Sequence, residues 1–209
     1  MKKAPFSVLL AMVFLFCISV LRAQSGFGLT AGMNYSFVKE VNGAPADIDL
    51  EAGPALGVFY QLQVGEKWRL VPEYQFAYKG YTVQPDATSE QSRIKLAYLD
   101  FLPQAEYRLN RFLGLDGGVN IAYKVNEKVK QSGSGWETPL VNNTSDWDFG
   151  VLGGLKIYLN RLHFKIRYCH GLANTSPFGP QQLEGGETIA YQKFNRNLQL
   201  SAGYRLTGR

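Results

Sequence analysis

The chain has 209 residues, enough for one domain with a sizeable core, and its 13% aromatic content with 22 glycines but two cysteines favours β structure over a disulfide scaffold. The formal charge of +5 falls to +2 once Lys2, Lys3 and Arg22 of the first segment are set aside. The remaining cations are scattered singly, which excludes the basic clustering that nucleic-acid binding requires.

Met1 to Ala23 combine a basic start (Lys2, Lys3), an apolar run from Val8 to Val20 and a small residue before Gln24. This is the layout of a secretory signal peptide, too short in its apolar part to cross a bilayer as a helix. Cleavage is expected after Ala23, leaving residues 24–209 as the mature domain. Cys17 falls in the leader, so Cys169 is the one mature cysteine and an intramolecular disulfide is ruled out.

The mature chain then alternates with a period of two, as strands do when successive side chains face opposite ways. In the first run Phe27, Leu29, Ala31, Met33, Tyr35 and Phe37 oppose Gly28, Thr30, Gly32, Asn34 and Ser36. A polar loop is expected from Lys39 to Glu51, and Pro54 to Val64 continue the oily face against Gly53, Ala55, Gly57, Phe59, Gln61 and Gln63. After a turn at Gly65-Glu66-Lys67, the third run sets Trp68, Leu70, Pro72, Tyr74, Phe76 and Tyr78 against Arg69, Glu73, Gln75 and Lys79. Pro72 cannot donate to a ladder, so a local bulge or break in pairing is expected there. A loop from Gln84 to Ser92 precedes the fourth run, Ala97 to Arg108, and Leu109-Asn110-Arg111 turn into the fifth, Leu113 to Val125. A long polar loop is expected from Asn126 to Ser145. The hairpin of Asp148 to Leu172 follows, turning at Asn160-Arg161, and a further loop from Ala173 to Ala190 leads to a closing strand from Phe194 to Leu206.

These make about eight strands of membrane-spanning length, with tight turns at one end and long loops at the other. A soluble barrel would put its oily face inside, but an interior of about eight strands is only wide enough to be filled by side chains and has no room for this many aromatics. The other face carries glycine pairs at four-residue spacing, such as Gly28/Gly32 and Gly150/Gly154, which suit a narrow lumen. The fold expected is therefore all-β: an eight-stranded antiparallel transmembrane up-and-down β-barrel after a cleaved signal peptide. Trp68, Tyr107 and Tyr204 fall near one interface, and Phe37, Tyr78, Tyr123, Trp147 and Tyr168 near the other, as two aromatic girdles.

Function has three places to reside. The inward face presents Arg69, Glu73, Lys79, Asp100, Glu106, Arg108, Asp116, Lys124, Asp148, Lys156, Lys165, Arg167 and Arg205. Counting along the hairpins sets Asp116 near Lys156 and Lys124 near Asp148, so an ion-paired, structural lumen is expected, with a narrow pore for small solutes as the alternative. Catalysis, such as lipid A modification, needs a nucleophile with a base in reach. Only His163 and His170 are available, and no serine lies two residues from His170 on its strand face, while Ser176 is in a loop. No catalytic, metal-binding or cofactor-binding residues are assigned. In the loops, Trp136 and Phe178 are the candidates for contacting a partner or glycan.

Several motifs occur in an order that resembles one family: Gly28-Leu29-Thr30-Ala31-Gly32-Met33-Asn34-Tyr35-Ser36, Tyr98-Leu99-Asp100-Phe101-Leu102-Pro103, Asp148-Phe149-Gly150-Val151-Leu152-Gly153-Gly154-Leu155, Arg167-Tyr168-Cys169-His170-Gly171-Leu172, and a closing stretch from Asn195 to Leu206. The chain resembles the PorT-like outer-membrane β-barrels of Bacteroidetes. That resemblance implies residence in the outer membrane of a Gram-negative bacterium, a non-catalytic role in the envelope and a possible link to type IX protein secretion. The partners it implies are outer-membrane lipid and lipopolysaccharide, the barrel-assembly machinery and other envelope or secretion proteins.

Overall fold

A computed structural model describes residues 25–41, 47–84, 91–139, 144–175, 181–182, 188–189 and 192–208. The leader expected at residues 1 to 23 lies outside them. The strands are β1 (Gly26–Val41), β2 (Asp47–Gln63), β3 (Trp68–Gln84), β4 (Ser92–Arg108), β5 (Leu113–Gln131), β6 (Trp147–Leu159), β7 (Leu162–Gly171), β8 (Gln181–Gln182), β9 (Thr188–Ile189) and β10 (Gln192–Arg205). Eight of them form a closed antiparallel barrel, with β10 paired to β7 on one side and to β1 on the other. The short β8 and β9 pair with each other inside the expected loop of residues 173 to 190.

The period of two sorts the side chains as the alternation predicts. Leu56 is 62% and Leu200 41% exposed on the outside, whereas Glu106 and Tyr98 are fully buried inside. An apolar exterior around a polar interior is the sidedness of a barrel solvated by lipid. Trp68 packs beside Tyr107 at the turn end, and Tyr123 beside Trp147 at the other, each pair tilted with ring centroids 5.0 Å apart. From Trp68 to Tyr78 the outward row of β3 covers roughly ten residue steps, about 34 Å along the strand and about 26 Å along the axis at a tilt near 40°. That matches the apolar band of such barrels.

The tight turns are locally encoded. Asn160 takes a φ of 63°, Gly65 a φ of 94°, and Asn110 Oδ1 accepts from the backbone N–H of Phe112 and Leu113 at 2.7 and 2.9 Å. Pro72 causes no register shift. It faces Pro103 of β4, and the expected break in pairing is on its other side: its own row and that of Val71 are missing from the β2–β3 ladder, which resumes in the same register at Leu62↔Leu70.

At the end away from the turns, the strands outrun the sequence reading. β1 continues to Val41 and β2 begins at Asp47, where a polar loop from Lys39 to Glu51 was expected; β5 continues to Gln131, through the first part of the loop expected from Asn126. The reason is a reversal of polarity. The β4–β5 register shifts between Ala97 and Tyr98, so Val125 is an extra residue, and beyond it the buried position passes from Lys124 to Glu127 while Asn126 and Lys128 are exposed. Inside this upper section Val38, Tyr81, Ile94, Leu96, Tyr98 and Ala122 form an apolar cluster. A second irregularity, in β2 between Leu50 and Ala55, accommodates the same extension.

Replacing Leu200, whose strand neighbours are Met33 and Ile166, with Arg should cost about 2–4 kcal/mol, and Val125→Arg near the interface away from the turns about 0–1 kcal/mol. Urea titration of folding into phospholipid vesicles measures both; equal costs at the two sites would contradict the lipid assignment of the outer face.

Candidate functional site

The interior charges are brought together by strands that are distant in sequence. At the turn end, the fully buried Glu106 of β4 accepts from Lys156 Nζ at 3.1 Å and Tyr158 Oη at 2.6 Å, both on β6. Arg69 and Arg108 approach the same carboxylate at 3.5 and 3.7 Å. Lys156 also reaches Asp116 at 3.2 Å, the pair expected from hairpin counting. Gly154 makes room for it: a Cβ there would stand 2.5 Å from Asp116 Oδ1. Arg205 sits at this end without a described acceptor for its Nε.

Halfway up, Glu73 of β3 is the hub. It accepts from Lys165 Nζ at 2.9 and 2.8 Å and from Arg167 Nη2 at 2.8 Å, two cations on β7 across the lumen. Two donors with full charge on one buried carboxylate satisfy it by charge-assisted hydrogen bonds. Arg167 also stands 3.8 Å from Asp116, and its remaining donors are taken up by amides. Gln104 bridges Glu73 and Arg167 at 3.1 and 2.7 Å, Arg167 Nη1 donates to Gln199 at 3.1 Å, Gln199 donates to Gln75 at 2.9 Å, and Gln75 donates to Asp100 at 2.9 Å. Lys79 completes the relay, 3.1 Å from Asp100 and 4.6 Å from the Tyr98 ring centroid.

The upper end differs from expectation. Lys124 does not pair with Asp148. The extra residue at Val125 turns Glu127 inward, and Lys124 Nζ donates to it at 2.7 Å and to Thr144 O and Oγ1 at 2.6 and 3.0 Å. Asp148 accepts from Asn195 Nδ2 at 2.8 Å instead. The glutamines, Tyr158, Thr144 and Asn195 were not singled out from sequence, because counting charges passes over neutral groups. Gln75, Gln104, Gln199 and Tyr158 nevertheless share the inward parity and were findable by it. Glu127 was not, since its face depends on the bulge.

His163 is buried against Phe59 and Tyr158 at centroid distances of 5.1 and 5.4 Å, with no ion pair among the described residues. The facing Gly203 is required by this packing, because a Cβ would lie 2.3 Å from the imidazole. Half-buried His170 pairs with Val151 on the outer side, edge-on to Tyr168 at 6.2 Å, and Cys169 turns inward opposite Leu152. Trp136 lies past the end of β5, where Val129 and Glu137 exchange backbone hydrogen bonds of 2.9 Å, and Lys95 Nζ stands 4.5 Å over its ring. Phe178 and Ser176 are outside the described residues. Among the described residues no group of three or more His, Cys, Asp or Glu side chains is placed to hold a metal ion.

Removing the hub alone strands two buried cations. Glu73→Leu should cost about 3–5 kcal/mol, while the triple replacement of Glu73, Lys165 and Arg167 by Met should recover most of that loss. Urea unfolding of the refolded barrel separates the two, and a Glu73→Leu variant as stable as the parent would show the pairs to be dispensable.

The sequence matches the model of a family described as an outer membrane protein beta-barrel domain over residues 22–176. Comparison with curated proteins returns no match. Among solved structures, the attachment invasion locus protein Ail of Yersinia pestis is similar at 15% identity and a TM-score of 0.52, covering 88% of this chain and 99% of its own. The same protein in complex with the heparin analogue sucrose octasulfate gives a TM-score of 0.51 at the same identity and coverage. OprG of Pseudomonas aeruginosa is 13% identical, with a TM-score of 0.49 over 89% of this chain and 98% of its own. At such identities the likeness to Ail is one of fold, and fold alone does not carry function. With the family model matched over most of a chain that closes into an eight-stranded, lipid-faced barrel, the protein belongs to the outer membrane protein β-barrel domain family.

Proposed function

We propose that this barrel is a non-catalytic structural element of the outer membrane that keeps its lumen closed and presents its outer end to an envelope partner. One observation supports this reading above others: the interior is occupied by side chains from end to end. Glu106, Glu73, Asp100, Lys156 and Tyr98 are each at most 1% exposed, and the apolar cluster around Tyr81 and Leu96 caps them on the outer side. A lumen filled in this way leaves the surface as the place for specificity.

A solute path would require the hub to open. The cations of Lys165 and Arg167 would then lose Glu73 in a narrow space, at a cost of several kcal/mol in order of magnitude. Lipid A chemistry would need a base beside a nucleophile. Neither His163 nor His170 has a hydrogen bond to a hydroxyl among the described residues; their neighbours are aromatic rings. A link to type IX secretion rests on the ordered motifs of the PorT-like resemblance, and insertion by the barrel-assembly machinery is the route such a closed barrel would take.

In planar bilayers the purified barrel should show no sustained single-channel conductance, and a stable open level would overturn the closed reading. Deleting the gene should leave the lipid A acylation pattern unchanged by mass spectrometry; a missing acyl chain would favour the enzyme. Removing residues 132–139 should abolish partner capture in crosslinking from intact cells while preserving the heat-dependent gel shift of a folded barrel.

A further inference from the structure

The outward rows of β3 and β4, and that of β5 across the extra residue at Val125, lead from lipid-facing aromatics into a basic patch. Residues facing each other in adjacent strands share a face. Tyr78 faces Ala97, which faces Asn126; Gly80 faces Lys95, which faces Lys128; Thr82 faces Arg93, which faces Lys130. Tyr78 continues the lipid-facing row of Tyr74 and Phe76. Two residues further along the strand, about 7 Å, the same face carries cations. Arg93 is engaged by Glu51 at 2.8 Å, whereas Lys95, Lys128 and Lys130 have no ion-pair partner among the described residues.

Trp136 bounds this patch. The bridge between Val129 and Glu137 sets Trp136 opposite Lys130, on the same outer face, with Lys95 beneath its ring. A pocket of about 350 Å³ lies between them, lined by Tyr78, Gly80, Lys95, Lys128 and Trp136 together with Glu51 and Lys79, the Glu51 carboxylate held by Arg93 at 2.8 Å and Lys79 held by Asp100 at 3.1 Å. Gly80 keeps its floor low, since a Cβ there would meet the Ile94 carbonyl at 2.4 Å.

We propose that this pocket binds the phosphorylated headgroup of a glycolipid in the outer leaflet. The ammonium groups of Lys95 and Lys128 on its wall, with Lys130 beside it on the same outward row of β5, supply donors to phosphate oxygens, and the exposed Trp136 indole offers an apolar face to a sugar ring. The occupant is a membrane lipid rather than a soluble anion because of where the patch lies. It opens directly above Tyr78 and Tyr123, so a molecule that carries both phosphates and acyl chains covers the cations and the apolar rows together. A soluble anion would leave the apolar half uncovered. Lipid binding at this patch holds whether or not the lumen conducts.

The test uses the refolded full barrel in neutral detergent, with Trp68→Phe and Trp147→Phe so that Trp136 reports alone. Bisphosphorylated lipid A should shift its emission saturably. Each basic side chain near a membrane surface is worth about a fivefold change in binding, so dephosphorylated lipid A and the Lys95→Gln/Lys128→Gln/Lys130→Gln variant should each bind about 100-fold more weakly. The corresponding triple Arg variant should retain binding. Equal binding of the two lipids, which needs no variant to fold, would overturn the proposal. So would full binding by a triple Gln variant that passes the heat-dependent gel-shift test of folding. Inorganic phosphate or a sulfated oligosaccharide competing as well as the phosphorylated lipid would identify a soluble anion and overturn the lipid assignment.

Discussion

Hydrocarbon offers no water to an unpaired peptide group, so every backbone N–H and C=O that crosses it must be bonded within the protein. The ladder between β1 and β10, running from Gly28↔Arg205 to Val41↔Gln192, is what meets that demand here, because it joins the first long strand to the last and removes both edges. Once the sheet closes, the two faces of every strand acquire fixed solvents. Residues such as Leu56, Tyr74 and Ile166 meet lipid, and their neighbours in sequence are confined to a narrow lumen. The glycines at Gly154 and Gly203 follow from the same confinement, since the atoms facing them leave no space for a Cβ.

Confinement also explains the composition of the lumen. Ionised groups inside such a barrel are affordable only when each has its counter-charge and its hydrogen bonds. Glu106 gathers Lys156, Tyr158 and two arginines, Glu73 gathers Lys165 and Arg167, and Asp100 gathers Lys79. Gln75, Gln104 and Gln199 connect these clusters, being donor and acceptor at once. A polar interior built in this way is a core in the sense that packing fills it, with charge complementarity in place of apolar burial.

Above the membrane the solvents change and the pattern inverts. Lys95, Arg93 and Lys128 project outward while Ile94, Leu96 and Val129 turn inward, on the same strands that carry Phe101 and Ile121 outward lower down. Val125 is the pivot on β5. Its extra position transfers the inward role from even to odd numbers, and with it Glu127 enters the lumen beside Lys124. The barrel therefore has an oily waist with a polar filling and a polar rim with an oily filling. The boundary between them is where aromatic residues and the outward lysines meet.

The primary structure alone determined the parity of each membrane-crossing strand, the turns at Gly65, Asn110 and Asn160, and the inward direction of the charges, because these depend on nearest neighbours and on a period of two. It also sufficed for Asp116 and Lys156, which sit on β5 and β6, consecutive antiparallel strands whose shared inward parity brings them side by side. It misled where the polarity inverted: Asn126 to Gln131 and Lys39 to Val41 read as loop because a strand in water outside and oil inside shows the opposite alternation. Only the tertiary structure decided that Glu73 takes Lys165, a residue 92 positions away, and that Asp148 takes Asn195 in place of Lys124. Those partners come from strands that are not paired to each other, Glu73 and Lys165 from opposite sides of the lumen, and which residues stand level depends on the stagger with which the whole sheet closes, a quantity that no single hairpin contains.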